Sequence, residues 1–402
     1  MAMPRGFQPL IAAQFCSALA DNALLIVCIA LLQQRGLPAW WAPLLKFSFT
    51  VAYVVLAPFV GALADAMPKA RLMMAMNGLK VVGLASLLMG VNPLLGLAIV
   101  GVGAAAYAPA KYGLVTELVP PARLVAANGW IEVTTVCAAV FGTVLGGLLI
   151  SPWAVSLAGS ESSQAALWGL LLLYGLAALL NLAVPDSGAR YPAQRAHAVE
   201  LWRSFADAQK RLWADADGAL SMAVTTLFWG AAAVLQFAVL RWAVDVLALP
   251  LDRAAYLQGG VAVGIVAGAV LAGRWVSLDR ARQVLPLGIL MGLAVPLAAH
   301  TAHWWTALPA MALVGLLGGA LVVPLNALLQ HRGHVLLTAG RSIAVQNFNE
   351  NSSVLLMLAV YAALLAWGLD IRSLMTGLGM LVGVGVALLW LRERRRWKPR
   401  AA

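Results

Sequence analysis

The chain has 402 residues, 62% of them hydrophobic and 11% charged, with a mean hydropathy of +0.87. So much apolar surface calls for lipid as the solvent, which excludes an ordinary soluble domain. The formal net charge of +11 would suggest a nucleic-acid partner in a soluble chain; here the placement of the charges gives it another cause, and no nucleic acid is expected.

Twelve apolar segments predict an all-α membrane protein with twelve transmembrane helices, at roughly 8–32, 42–64, 72–91, 94–116, 122–150, 164–184, 219–244, 255–276, 284–300, 305–329, 340–366 and 373–391. About 20 residues cross a hydrocarbon core of roughly 30 Å. The first segment is too long for a signal-peptide core and runs on into further spans, so it is expected to stay as helix 1. Only Arg35, Arg253 and Arg372 fall in the loops of one side, and Lys46, Lys80, Lys111 and Arg241 fall within spans. The remaining basic residues gather on the other side, which makes that side cytoplasmic and places both termini there. Cys16, Cys28 and Cys137 all lie in spans, with no disulfide framework and no metal spacing among them. No cofactor or metal is expected.

Residues 185–218 are polar and basic, with Leu201, Phe205, Ala208 and Leu212 at helical spacing. They read as an amphipathic cytoplasmic linker between an N-terminal six-helix bundle (1–184) and a C-terminal one (219–392). The basic tail 393–402 serves either to touch anionic headgroups or only to fix topology. An internal repeat supports the two halves. Leu37-Pro38 matches Leu249-Pro250, and Pro109-Ala-Lys111 matches Pro324-Leu-Asn326, at nearly the same offset. Each of the latter is followed about 20 residues on by an embedded carboxylate, Glu132 and Glu350. Six helices repeated in parallel is the architecture of a major facilitator transporter, with the site at the midplane. Between helices 2 and 3, Gly61-Ala-Leu-Ala-Asp65, followed by Lys69 and Arg71, resembles the loop signature of that superfamily. It forms either a gating latch, with the carboxylate on a basic residue or a helix terminus, or a plain positive-inside turn.

The charges inside the spans carry the functional reading. Lys111 stands in a run, Leu94 to Gly113, that is otherwise uncharged. An unpaired lysine there costs on the order of 2.5–3.5 kcal/mol on insertion scales, so it should not face lipid. Pro109 and Tyr112 flank it, which favours a cavity-lining position over snorkelling to the interface. Asp21 and Asn22 lie about 13 residues into helix 1, near mid-depth. Gln346, Asn347 and Glu350 fall on one helical face, a density of polar groups that calls for water or substrate. Gln236 and Asn326 add polar positions in the second half. Arg241 has Asp245 at i+4 and is either an outer-gate residue or an interface anchor. Cations and carboxylates in one chamber suit a zwitterion or amphiphile bearing a phosphate, the lysine taking the phosphate and a carboxylate taking an ammonium group.

The strings AQFCSALADNALL, APFVGALAD, VGVGAAAYAPAKYG, LFWGAA, VVPLNALLQ and IAVQNFNENSSVLLML resemble the bacterial lysophospholipid transporter family of the major facilitator superfamily, from about residue 8 to 392. The resemblance implies movement of lysophosphatidylethanolamine and related lysophospholipids from the outer to the inner leaflet of the bacterial inner membrane. There a separate acyltransferase would reacylate them in phospholipid repair. It also implies polar substrate and gating roles for Asp21, Lys111 and Glu350. Better-known members carry an arginine where this chain has Gln236; Arg241, five positions on, is turned by about 140° and is no direct match.

Two rivals are weighed. A proton-coupled drug or metabolite exporter of the same superfamily would use Asp21 and Glu350 as proton carriers. A lipid-modifying enzyme would need a nucleophile or base with partners, and neither a Gly-x-Ser-x-Gly elbow nor a histidine with an aspartate five residues on occurs.

Overall fold

The computed structural model describes residues 3–4, 6–37, 41–151, 156, 162–191 and 197–396. Pro38, residues 192–196 of the linker and residues 397–402 of the basic tail lie outside the described residues. All regular structure among the described residues is helical, in fourteen α-helices. They are α1 (Phe7–Gln34), α2 (Trp41–Val55), α3 (Ala57–Ala66), α4 (Lys69–Leu88), α5 (Pro93–Leu118), α6 (Leu124–Leu149), α7 (Ser162–Leu180), α8 (Ala198–Ala214), α9 (Ala216–Asp245), α10 (Leu251–Trp275), α11 (Leu285–Ala299), α12 (Trp304–Leu336), α13 (Ala339–Ala366) and α14 (Ile371–Arg396). Eleven are long and apolar enough to cross a membrane. A twelfth span results if α2 and α3, bent by 64° at their join, count as one broken helix. The break has a local cause: Pro58, in the first turn of α3, has no N–H to donate back across it.

By its contacts the chain forms two compact units. The first comprises Met1–Pro121, Thr134–Ala214 and Gln330–Asn351. Its core joins Leu24, Val27 and Leu31 of α1 to Leu84 and Leu87 of α4, Leu97 and Val100 of α5, and Leu167 and Leu170 of α7. Between α4 and α5 the approach is close enough that a Cβ on Gly83 would lie 2.9 Å from the Gly96 carbonyl oxygen. The linker helix α8 belongs to this unit. Its Trp202 meets Phe59 edge-on, its Phe205 meets Phe348, and Gln209 and Asn349 exchange two side-chain hydrogen bonds of 3.0 Å. The amphipathic face read from Leu201, Phe205, Ala208 and Leu212 is therefore docked, with Ala208 and Leu212 fully buried.

The second unit comprises Ala122–Val133, Asp215–Leu329 and Ser352–Ala402. Its packing device is backbone on backbone. A Cβ on Gly264 of α10 would come within 2.0 Å of the Ala312 carbonyl of α12, and one on Gly315 of α12 within 2.1 Å of the Val261 carbonyl. Helices in lipid gain little from hiding apolar side chains from one another, so close approach through small residues supplies the dispersion that holds them. Trp242 closes the unit from the α9 side, its indole N–H donating to the Ala299 carbonyl at 3.0 Å.

Candidate functional site

Within the first unit a cavity of about 220 Å³ opens among α1, α2, α4, α5 and the Thr135 position of α6. Asp21, Asn22 and Lys111 all line it, as do Gln14, Ser17, Lys46, Tyr53, Lys80, Tyr107 and Thr135. Asp21 sits halfway along α1 and holds a buried lysine. Lys80 of α4 donates to both carboxylate oxygens, at 2.9 and 2.7 Å, and to the Ser17 hydroxyl at 2.9 Å. The Tyr174 hydroxyl of α7 donates to Asp21 at 2.7 Å, and Lys80 also lies over the rings of Tyr107 and Tyr174. With three bonds accepted, the carboxylate keeps about one lone-pair site for another donor. Such a pair tolerates burial because all three lysine protons and most of the carboxylate lone pairs are met; removing one partner strands a charge.

Lys111, near the other end of α5, donates to Gln14 Oε1 at 3.0 Å and stands 4.1 Å from the centroid of the Tyr112 ring. Gln14 in turn donates to the hydroxyls of Thr134 and Thr135, at 2.8 and 3.3 Å, so its amide is oriented with the oxygen toward the lysine. Helix α5 runs unbroken through Pro109. The lysine is therefore positioned by a donor–acceptor chain reaching from α6 through α1.

Other predicted residues are not among those that line this cavity. In α13, buried Gln346 donates to Glu350 at 2.9 Å, as their i, i+4 spacing requires. Asn347, on the same helix, keeps a buried side-chain amide nitrogen without a hydrogen-bond acceptor. Neither Glu350 nor these amides belong to the cavity's described lining. In the second unit Glu132 and Asn326 are buried. Gln236 is exposed, its carbonyl accepting from Gln258 at 2.6 Å. Arg241 is exposed and pairs with Asp245 at 3.0 Å.

The residues of the predicted loop signature meet a helix terminus and a buried carboxylate. Gly61 lets α3 lie against the start of α13, where a Cβ would come 3.0 Å from the Arg341 Cα and 2.9 Å from the Ala344 Cβ. Asp65 then caps that helix, accepting from the Gly340 N–H at 2.9 Å and from the Thr338 hydroxyl. A carboxylate there satisfies a free N–H and meets the positive end of the helix dipole. Lys69 stands 4.0 Å from Asp65 but only 2.5 Å from Glu117 of α5, with both partners buried. Arg71 is exposed, and among the described residues no hydrogen bond or ion pair joins it to these groups. Two linker residues join in: Ser187 donates to Glu117 at 2.5 Å and Tyr191 at 3.0 Å. Burial and the neighbouring Glu117 carboxylate push the Tyr191 phenol above its usual value, so it remains a donor at neutral pH.

Sequence reasoning missed Lys80 as the partner of Asp21. The signal was present, since a lysine and an aspartate in separate spans each need an opposite charge. Tyr174, Gln14, Thr338 and Gly340 had no such signal; their roles depend on which helices come together.

These spans, and a polar chamber lined from five of them, define a polytopic membrane transporter. The chain belongs to the Major Facilitator Superfamily, whose family profile matches residues 10–357. It is 42% identical over 393 residues to the lysophospholipid transporter LplT of Shigella flexneri, covering 97% of this chain and 96% of that protein. The protein of the same name from Escherichia coli O9:H4 (strain HS) is likewise 42% identical over the same share of each chain. The fold resembles the E. coli fucose:proton symporter FucP, with a TM-score of 0.74 at 16% identity over 98% of both chains. It also resembles a bacterial homologue of the iron transporter ferroportin in its outward-facing state, with a TM-score of 0.75 at 14% identity over 98% of this chain and 100% of the other.

Proposed function

We propose that the protein is a lysophospholipid transporter, moving lysophosphatidylethanolamine and related lysophospholipids from the outer to the inner leaflet of the bacterial inner membrane. The carrying observation is a cavity lined by three lysines and one carboxylate in a chain 42% identical, nearly end to end, to transporters named for that substrate. The phosphate is taken by Lys111, held ready by Gln14. The ammonium of an ethanolamine headgroup approaches Asp21, using the acceptor site that Lys80 and Tyr174 leave open. The protein performs no bond chemistry itself, and a separate acyltransferase acts on the delivered lipid. Both termini are cytoplasmic, and the two six-helix halves alternate the side of access.

The latch gives that alternation its switch. The capping of α13 by Asp65 and the Lys69–Glu117 pair hold one access state, and their release gives the other. Glu132, Glu350, Gln346, Asn347, Asn326, Gln236 and Arg241 are proposed to serve later stages of passage. The test is uptake of labelled lysophosphatidylethanolamine by vesicles containing the purified protein, with no pH gradient. Uptake above protein-free vesicles is expected. Uptake that appears only under an imposed proton gradient would turn the reading toward a proton-coupled exporter, and no uptake under either condition would overturn it.

A further inference from the structure

Lys46 stands on the cavity wall with no role in the account so far. It lies in the second turn of α2, and Lys46, Phe49 and Tyr53, at i, i+3 and i+7, form the stripe of that helix that faces the cavity. Its side chain is exposed, and among the described residues it makes no ion pair. A lysine that only anchored its helix at the interface would not need to share a face with two cavity-lining aromatics.

Its height in the bundle follows from packing. A Cβ on Gly101 of α5 would meet the Phe49 carbonyl oxygen at 2.7 Å, so Phe49 and Gly101 are level. As second and fourth spans, α2 and α5 run in the same direction. Lys46 is then three residues before that level and Lys111 ten residues beyond it, about 20 Å apart along the axis at 1.5 Å per residue. Lys80 falls between them, since a Cβ on Gly103 would lie 2.9 Å from the Lys80 Cγ. The cavity is therefore a path with a lysine at each end and the Asp21–Lys80 pair midway.

We infer that Lys46 is a second phosphate-binding residue, engaging the headgroup one stage away from Lys111 along the same path. This rests on the lysophospholipid reading above. A single anion cannot touch both lysines across about 20 Å, so the two must act in succession, and the loss of either affects a different stage.

The test uses the full-length protein in lipid nanodiscs, with Lys46 acetylated by an amine-reactive ester and quantified by mass spectrometry. Added lysophosphatidylethanolamine is expected to slow modification of Lys46 severalfold, whereas a monoacylglycerol of the same chain length, which lacks the phosphate, leaves it unchanged. In transport, Lys46→Gln should raise KM about fivefold, as for a partly exposed ion pair, with kcat retained and with Lys46→Arg restoring the wild-type value. Unchanged modification, or equal protection by the monoacylglycerol, overturns the inference, as does an unaltered KM in Lys46→Gln. Wild-type uptake judges the transport reading separately, because protection of Lys46 reports phosphate binding whether or not the lipid crosses.

Discussion

The two compact units differ in emphasis: the first holds a buried ion pair and a polar cavity, and the second leans most on helix backbones in direct contact. In the first, the interior is charged: Lys80 and Asp21 are locked together among hydroxyls and rings, and Lys111 is steered by Gln14. In the second, α10 and α12 close on bare backbone at Gly264 and Gly315. A cavity there is apolar, about 50 Å³, and walled by residues such as Phe228, Leu235, Ile265, Met291 and Val295. Glycine contacts supply cohesion without polar groups, and a buried ion pair supplies little net cohesion. What the first unit gains from its charges is a place where a charged group can be received. The difference teaches that polar atoms deep in a span mark function more than stability.

That contrast can be broken from either side. The largest effect is expected from Asp21→Ala, which leaves Lys80 buried without its partner. Breaking a buried pair costs about 3–5 kcal/mol, so both transport and thermal stability in detergent should collapse. Asp21→Ala combined with Lys80→Met should recover most of the melting temperature and none of the uptake. Next comes Lys111→Ala, which should cut uptake by at least about tenfold while membrane insertion is kept and the melting temperature falls far less than in Asp21→Ala, since its bond to Gln14 is worth roughly 1.5–3 kcal/mol at most. Gly264→Val sharpens the other side of the comparison. The added side chain meets the Ala312 carbonyl and should destabilise by about 1–3 kcal/mol, with KM for the lipid unchanged. Asp65→Asn is smaller again. It removes the negative charge from the start of α13, worth about 0.3–2 kcal/mol, and should shift the balance of access states seen by cysteine accessibility on the two sides. Ser187→Ala should do least, lowering uptake less than twofold, because Lys69 and Tyr191 still meet Glu117.

Much of this architecture was legible in the amino-acid order. The spans follow from hydropathy alone, twelve if α2 and α3 count as one, and among the described residues the break at Pro58 is the one place where a span divides. Asp21 and Lys111 were visible as anomalies because each is costly where it stands. The loop signature is legible from Gly61 and Asp65, and one of the partners expected for its carboxylate, a helix terminus, is what Gly340 provides. What was not legible is pairing at a distance. That Asp21 chooses Lys80, that Glu117 rather than Asp65 is the closer partner of Lys69, and that Ser187 and Tyr191 reach Glu117 all depend on helix packing and on the path of the linker. Arg71 illustrates the limit: it fits the signature by spacing, yet it is exposed, and among the described residues no hydrogen bond or ion pair joins it to Asp65, Lys69 or Glu117.

The central claim is that the lipid headgroup occupies the charged cavity of the first unit. A lysophosphatidylethanolamine carrying a photoreactive group on its headgroup tests this most directly, by crosslinking in membranes and mapping of the modified residues. The account predicts adducts on α1 and α5, around Gln14, Asp21 and Lys111, reduced in Lys111→Ala. Adducts confined to α9–α12, with none on α1 or α5, would contradict it.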